Sequence, residues 1–133
     1  MPRRYAEYKP VTSDALVPRP TNVCGYEELL RYFQERGQTL PRKAESLATL
    51  DQAINDGLPA ELARPIGMFY GGLLTHTVPR AHWEVVVEGY PLVRITRKTA
   101  VDVVRVALRR LATPLPTLEQ NYAHVLELVR QEP

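Results

Sequence analysis

The sequence predicts an α+β domain, with three N-terminal helices, an antiparallel β-hairpin and two C-terminal helices. Apolar residues recur at three- and four-residue spacing along most of the chain, which is typical of helices that pack on a core. One stretch that begins at Trp83 has instead the two-residue alternation of a strand. The 133 residues are 44% hydrophobic and 24% charged, which is the balance of a globular chain with one core.

Residues 1–22 are predicted to form an extended arm, separate from a single domain at 23–133. The arm contains four prolines, Pro2, Pro10, Pro18 and Pro20. Such prolines disfavour both a helix and a central strand. Tyr5 and Tyr8 are candidate partner contacts, because an extended chain can place both rings in one groove. We expect the arm to be ordered, docked on its own domain, on a second copy or on a partner protein.

The first two predicted helices end at glycines. An apolar stripe at 26–33 predicts the first helix, and a stripe at 47–54 predicts the second. Gly37 and Gly57 follow these stripes. A glycine after the last helical turn can adopt the positive φ of a C-cap, so both helices are expected to end there.

The third predicted helix is the centre of the expected fold. Its apolar face consists of residues at helical spacing, Leu62, Ile66, Phe69 and Leu73. Gly67 and Gly71 lie one turn apart, and each glycine costs about 1 kcal/mol relative to alanine in a helix interior. We therefore expect another element to approach this backbone closely. Pro65 is expected to kink or divide the helix, and the apolar run is too short and interrupted to cross a membrane.

The predicted hairpin follows a break at Pro79. Trp83 opens a strand of alternating apolar residues, residues 88–91 provide turn chemistry, and residues 92–96 form the expected return strand. A two-stranded hairpin needs a cover for its apolar face. We therefore place Trp83 against the Gly67–Gly71 side of the third helix.

Two capping patterns mark the starts of the C-terminal helices. Thr99 with Asp102 predicts the start of the fourth helix. Thr117 with Gln120 predicts a clearer capping box before the fifth helix. The proline-containing segment 113–116 is expected to link the two helices rigidly.

Several motifs together resemble those of a known family. They are a Ser-Leu-x-x-Leu-Asp run at 46–51, a Gly-x-x-x-Gly helix at Gly67 and Gly71, a tryptophan that opens a strand at Trp83, and a Gly-x-Pro turn at Gly89 and Pro91. Over about residues 26–126 the chain is similar to a family of small bacterial, chiefly actinobacterial, proteins of unknown function. The resemblance implies no activity, substrate or catalytic residue.

Neither the histidines nor the cysteine predicts catalytic chemistry. The histidines are His76, His82 and His124, and their spacing is not that of metal ligands. Cys24 is the only cysteine, so an intrachain disulfide and a cysteine metal cluster are excluded. We expect Cys24 to be buried, with a nucleophilic role as the minor alternative. The sequence therefore predicts no catalytic residue, no metal and no cofactor.

Basic residues gather after the hairpin. The candidates for an anion or partner contact are Arg94, Arg97, Lys98, Arg105 and Arg109. Arg105 and Arg109 are one helical turn apart and can share a face. One interpretation is a phosphate or nucleic-acid contact. The favoured interpretation is a solvated helix face balanced by Asp102 and other acidic residues, because the net charge is only +2 and no aromatic residues are interleaved.

Three functional classes remain, in this order of preference. The first is a non-catalytic protein-interaction module, whose partner is an unknown protein or a second copy of the chain. The second is a nucleic-acid or phosphate-ligand binder that uses the arginine and lysine cluster, and the third is a small hydrolase or transferase. The N-terminus lacks the apolar core of a secretory signal, so we expect a cytoplasmic protein without membrane contact.

Overall fold

The computed structural model describes residues 25–84 and 91–132. In chain order the elements are α1 (Glu27–Gln34), α2 (Glu45–Asn55), a 3-10 turn (Ala60–Leu62), α3 (Ala63–Thr77), β1 (His82–Glu84), β2 (Leu92–Arg94), β3 (Ala100–Asp102), α4 (Val103–Ala112) and α5 (Leu118–Gln131). The predicted α+β class is confirmed, because the described residues form five α-helices and one antiparallel sheet. The predicted arm and most of the predicted hairpin turn lie outside the described residues.

The sheet has three strands in the order β1-β2-β3, one more than the sequence predicted. Val93 in β2 lies at its centre, opposite Trp83 on one side and Val101 on the other. The predicted capping role of Thr99 is wrong, because the N-cap of α4 is Asp102, three residues later, and the helix begins at Val103. The carbonyl of Thr99 instead accepts a hydrogen bond from the Ile95 amide (3.0 Å) and closes the turn between β2 and β3.

Helix α3 is the buried centre of the fold, as the sequence predicted. Its side chains from Ile66 to Leu74 are buried on all sides. The expected division of this helix occurs before Pro65, where the 3-10 turn ends and α3 starts at Ala63. Pro65 therefore lies in the first turn of α3, where backbone N–H groups have no acceptor within the helix, so the proline removes no helical hydrogen bond. No helix in the described part of the chain is long and apolar enough to cross a membrane.

Two glycines of α3 let other elements approach its backbone. A Cβ atom added at Gly71 would lie 2.2 Å from Cη2 of Trp83, so the indole ring occupies the space that a side chain would need. A Cβ atom at Gly67 would lie 2.6 Å from Cα of Val104, at the start of α4. The predicted contact of Trp83 is confirmed at Gly71, whereas Gly67 accommodates the backbone of α4.

Helix α1 packs against α3. The ring of Tyr26 meets that of Phe69 edge to face, with centroids 5.4 Å apart. Both α1 and α2 are followed by glycines with positive φ, +72° at Gly37 and +101° at Gly57, as the sequence predicted. Helix α2 contacts α5, and α4 packs along α3, so the N-terminal and C-terminal helices share one core.

Candidate functional site

A buried ion pair joins α2 to α4. Arg110 is 3% exposed and Asp51 is 6% exposed, and Nε of the arginine lies 2.8 Å from Oδ1 of the aspartate. Nη2 of Arg110 also donates to Oδ1 of Asn55 (2.7 Å) and to the carbonyl of Asp51 (3.2 Å). Buried charges are tolerated when they are paired and hydrogen-bonded in this way, so the pair holds α2 and α4 in one arrangement.

Asp51 also caps helix α5. Its carboxylate accepts hydrogen bonds from the backbone amides of Leu118 (3.0 Å) and Glu119 (3.2 Å). The predicted capping box is confirmed, because the Gln120 amide donates to Oγ1 of Thr117 and the Thr117 amide donates to the Gln120 side chain. The first amides of α5 are therefore satisfied by this chain, and the helix end is closed to an added anion.

A groove of about 210 Å³ lies beside this network. We call it the basic groove, and its lining residues are Asp102, Arg105, Val106, Arg109, Arg110, Pro116, Thr117 and Asn121. The charge of Arg110 is already balanced by Asp51. Asn121 accepts a hydrogen bond from the hydroxyl of Tyr70, which is fully buried. Burial, followed by the neighbouring Tyr122 and Asp51, raises the pKa of Tyr70, so this hydroxyl stays protonated as a donor.

Two members of the predicted basic cluster are paired with carboxylates away from the groove. Arg94 donates to both carboxylate oxygens of Glu84, with N–O distances of 3.1 and 2.9 Å. The hydrogen bond from Arg94 lowers the pKa of Glu84 from its usual value of 4.5. The guanidinium of Arg97 lies 3.9 Å from Glu132, whose carboxylate also accepts from the Arg97 amide. Lys98 is exposed in the turn that follows β2 and does not line the basic groove.

Arg105 and Arg109 are the members of the cluster that lie together. Both are exposed on one side of α4 and both line the basic groove, as their spacing predicted. Within residues 25–84 and 91–132 neither guanidinium makes an ion pair or a hydrogen bond. Leu108, which precedes Arg109 in α4, is 46% exposed.

A second cleft lies between α1 and α2. Its charged residues, Arg36 and Asp56, already have partners within the domain. Arg36 lies 3.6 Å above the ring centroid of Tyr32, and Gln52 donates to Asp56. The basic groove is the stronger candidate, because it presents charged groups that the described chain leaves unpaired.

The other residues singled out in the sequence are not brought together. His76, His82 and His124 are all exposed, and His82 lies 3.5 Å from Glu84. No group of three or more histidine, cysteine, aspartate or glutamate residues in the described ranges could hold a metal ion. Cys24 and the arm tyrosines, Tyr5 and Tyr8, lie outside the described residues.

Sequence reasoning missed the pair of Asp51 and Arg110, although a signal was present. Asp51 follows the buried Leu47 and Leu50, and Arg110 continues the stripe of Val103 and Ala107. A charged residue at a core position of a helix indicates a buried partner of opposite charge. The position of that partner, 59 residues away, does not follow from spacing.

A model of a family of unknown function (DUF6278) matches residues 19–128, so the chain belongs to this family. The resemblance inferred from the sequence motifs is thereby confirmed, while the bacterial and actinobacterial origin stays a prediction. No curated protein matches the chain. No solved structure matches it either.

Proposed function

We propose that this member of a family of unknown function is a non-catalytic protein-interaction module, which binds an acidic segment of a partner protein at the basic groove. One observation carries the proposal. Arg105 and Arg109 present two guanidinium groups on one helix face with no partner in the described ranges, whereas Arg94 and Arg110 are engaged by acidic residues of the chain. The proposal places the module in the cytoplasm, where the lone Cys24 would stay reduced.

The charge arrangement favours an anionic partner. Like charges four residues apart on a helix destabilise it by about 0.2–0.5 kcal/mol. A carboxylate placed between Arg105 and Arg109 would remove this repulsion and accept bidentate hydrogen bonds. Binding of a partner would therefore be supported both by new ion pairs and by relief of repulsion within α4.

The surroundings of the arginines favour a protein over a nucleic acid. Leu108 and Leu115 are 46% and 63% exposed, and each is next in sequence to a residue that lines the groove, Arg109 or Pro116. Arginine beside exposed apolar side chains is typical of protein interfaces. None of the groove-lining residues is aromatic, so the site offers no platform for stacking bases.

Selection from a displayed peptide library tests the proposal. Peptides that bind the wild-type chain would be counter-selected against the Arg105→Glu/Arg109→Glu double variant. We expect the retained pool to be enriched in aspartate and glutamate. The matched control is Arg31→Glu/Lys43→Glu, which reverses two exposed charges away from the groove and should leave binding unchanged.

Three outcomes would overturn the proposal. The first is a pool without acidic enrichment, and the second is a pool that binds the groove variant as well as the wild type. The third is tighter binding of a fluorescent single-stranded oligonucleotide than of any selected peptide, with loss in the groove variant. That result would support the nucleic-acid alternative instead.

A further inference from the structure

We infer that the acidic segment binds as an additional strand on the free edge of β3 and continues into the basic groove. This inference rests on the proposed function and specifies how the partner is held. Strand addition recognises a partner through backbone hydrogen bonds at a sheet edge, while side chains that follow provide selectivity. The free sheet edge and the basic groove are adjacent in the structure, because Asp102 is the last residue of β3 and also lines the groove.

Strand β3 is paired on one side only within the described ranges. The sheet order is β1-β2-β3, so β3 is an edge strand and β2 occupies its inner side. The amide of Ile95 donates to the carbonyl of Thr99, which identifies these residues as a hydrogen-bonded pair of the antiparallel ladder. Hydrogen-bonded and non-hydrogen-bonded pairs alternate along such a ladder.

This alternation shows which backbone groups face outward. Val101, opposite Val93, is the next hydrogen-bonded residue of β3 and directs its amide and carbonyl towards β2. Ala100 and Asp102 are opposite their β2 neighbours in non-hydrogen-bonded pairs, so their amides point to the open edge. The described residues provide no acceptor for either amide. An unpaired edge of this kind is a template for another strand.

The edge leads directly into the arginine pair. Asp102 is the N-cap of α4, and Arg109 lies seven residues further along the helix. Seven residues of helix rise by about 10 Å, which about three residues of an extended segment can span. A segment of about six residues could therefore pair with Ala100 and Asp102 and then pass Arg105 and Arg109.

The local charges set the order of side chains in this segment. The carboxylate of Asp102 accepts the Arg105 amide (3.1 Å) and would repel an acidic residue beside the edge. We therefore expect β-branched residues opposite β3, where they favour a strand, and acidic residues where the segment reaches the arginines. The other sheet edge, at β1, carries the already paired Glu84 and does not offer this combination.

The probe is a synthetic peptide of valine, threonine and valine followed by three glutamates. Two matched peptides accompany it, one with N-methylated amides in the valine-threonine-valine part and one with lysines in place of the glutamates. N-methylation removes the strand donors and keeps the charge. Affinity would be measured by fluorescence anisotropy, and amide hydrogen exchange of the ¹⁵N-labelled full chain by NMR.

We expect the first peptide to bind and to slow exchange at Ala100 and Asp102, with little change at Val101. Both matched peptides should bind at least about tenfold more weakly. Equal affinity of the N-methylated peptide, or unchanged exchange at the two edge amides, would overturn the strand arrangement. The strand arrangement would also be overturned if the first peptide failed to bind while library peptides bound through Arg105 and Arg109. In each of these three cases the proposed function would stand. If neither the synthetic peptide nor any library peptide binds, the proposed function fails and this inference fails with it.

Discussion

The Asp51→Asn variant tests the buried ion pair most sharply, because it removes the charge and keeps the size of the side chain. In the wild type the carboxylate of Asp51 accepts hydrogen bonds from Arg110, Leu118 and Glu119. An asparagine leaves the buried guanidinium without a counterion and directs an NH₂ group at one of these donors. Removing one partner of a buried pair costs about 3–5 kcal/mol.

This loss corresponds to a large shift in melting temperature. At about 2.1 cal/mol/K per residue, the unfolding entropy of 133 residues is about 0.28 kcal/mol/K. A cost of about 3–5 kcal/mol then lowers the melting temperature by about 11–18 °C. Thermal and urea unfolding followed by circular dichroism would measure it. Asp56→Asn is the matched control, because Asp56 is exposed and its loss should cost no more than about 0.5 kcal/mol.

A melting temperature for Asp51→Asn that matches the control would refute this reasoning. The double variant Asp51→Leu/Arg110→Met provides a further check, because replacing both partners of a buried pair by apolar residues is often neutral. We expect it to recover most of the loss. A residual cost of about 1–2 kcal/mol should remain, because the amides of Leu118 and Glu119 lose their acceptor.

Three further predictions concern the sheet and the arm. Gly71→Ala should destabilise the fold by about 1–3 kcal/mol in a thermal melt, because the added Cβ would overlap the indole ring of Trp83. The control is Gly72→Ala, whose Cβ would lie 3.6 Å from its nearest neighbour, and it should be neutral or stabilising. Glu84→Gln should lower the melting temperature at pH 7 by removing the partner of Arg94. The folded-state pKa of Glu84 is lowered, so the pair contributes its full stability above the usual value of 4.5. The difference between the two proteins should shrink as the pH falls from 4.5 and vanish below the lowered folded-state pKa. Deleting residues 1–20 should lower the melting temperature or cause self-association in gel filtration, and an unchanged melt and elution volume would contradict a docked arm.

Local patterns predicted the helices and the central contact well. The contact of Trp83 followed from the glycines of α3 and the lone tryptophan, because a glycine within an apolar helix favours the close approach of another element, and this approach occurs at Gly71. Strand β3 was missed because three residues are too few to show an alternation. The Thr99–Asp102 pattern also matched a helix start, and only the ladder with β2 identifies Ala100–Asp102 as a strand.

The candidate site was less predictable because charge pairing depends on tertiary contacts. In the sequence five basic residues form one cluster, but the fold gives Arg94 and Arg97 acidic partners at Glu84 and Glu132. Helical periodicity correctly placed Arg105 and Arg109 on a shared face. Only the folded structure shows that Arg105 and Arg109 have no acidic partner within the described residues.

A charge-swap experiment tests the central claim most directly. An acidic peptide from the library selection and its lysine-substituted counterpart would each be titrated into the wild type and into Arg105→Glu/Arg109→Glu. Recognition by the two guanidiniums predicts that each single swap weakens binding at least about tenfold and that the double swap restores most of the affinity. Equal binding of the acidic peptide to both proteins, or no recovery in the double swap, would contradict the claim.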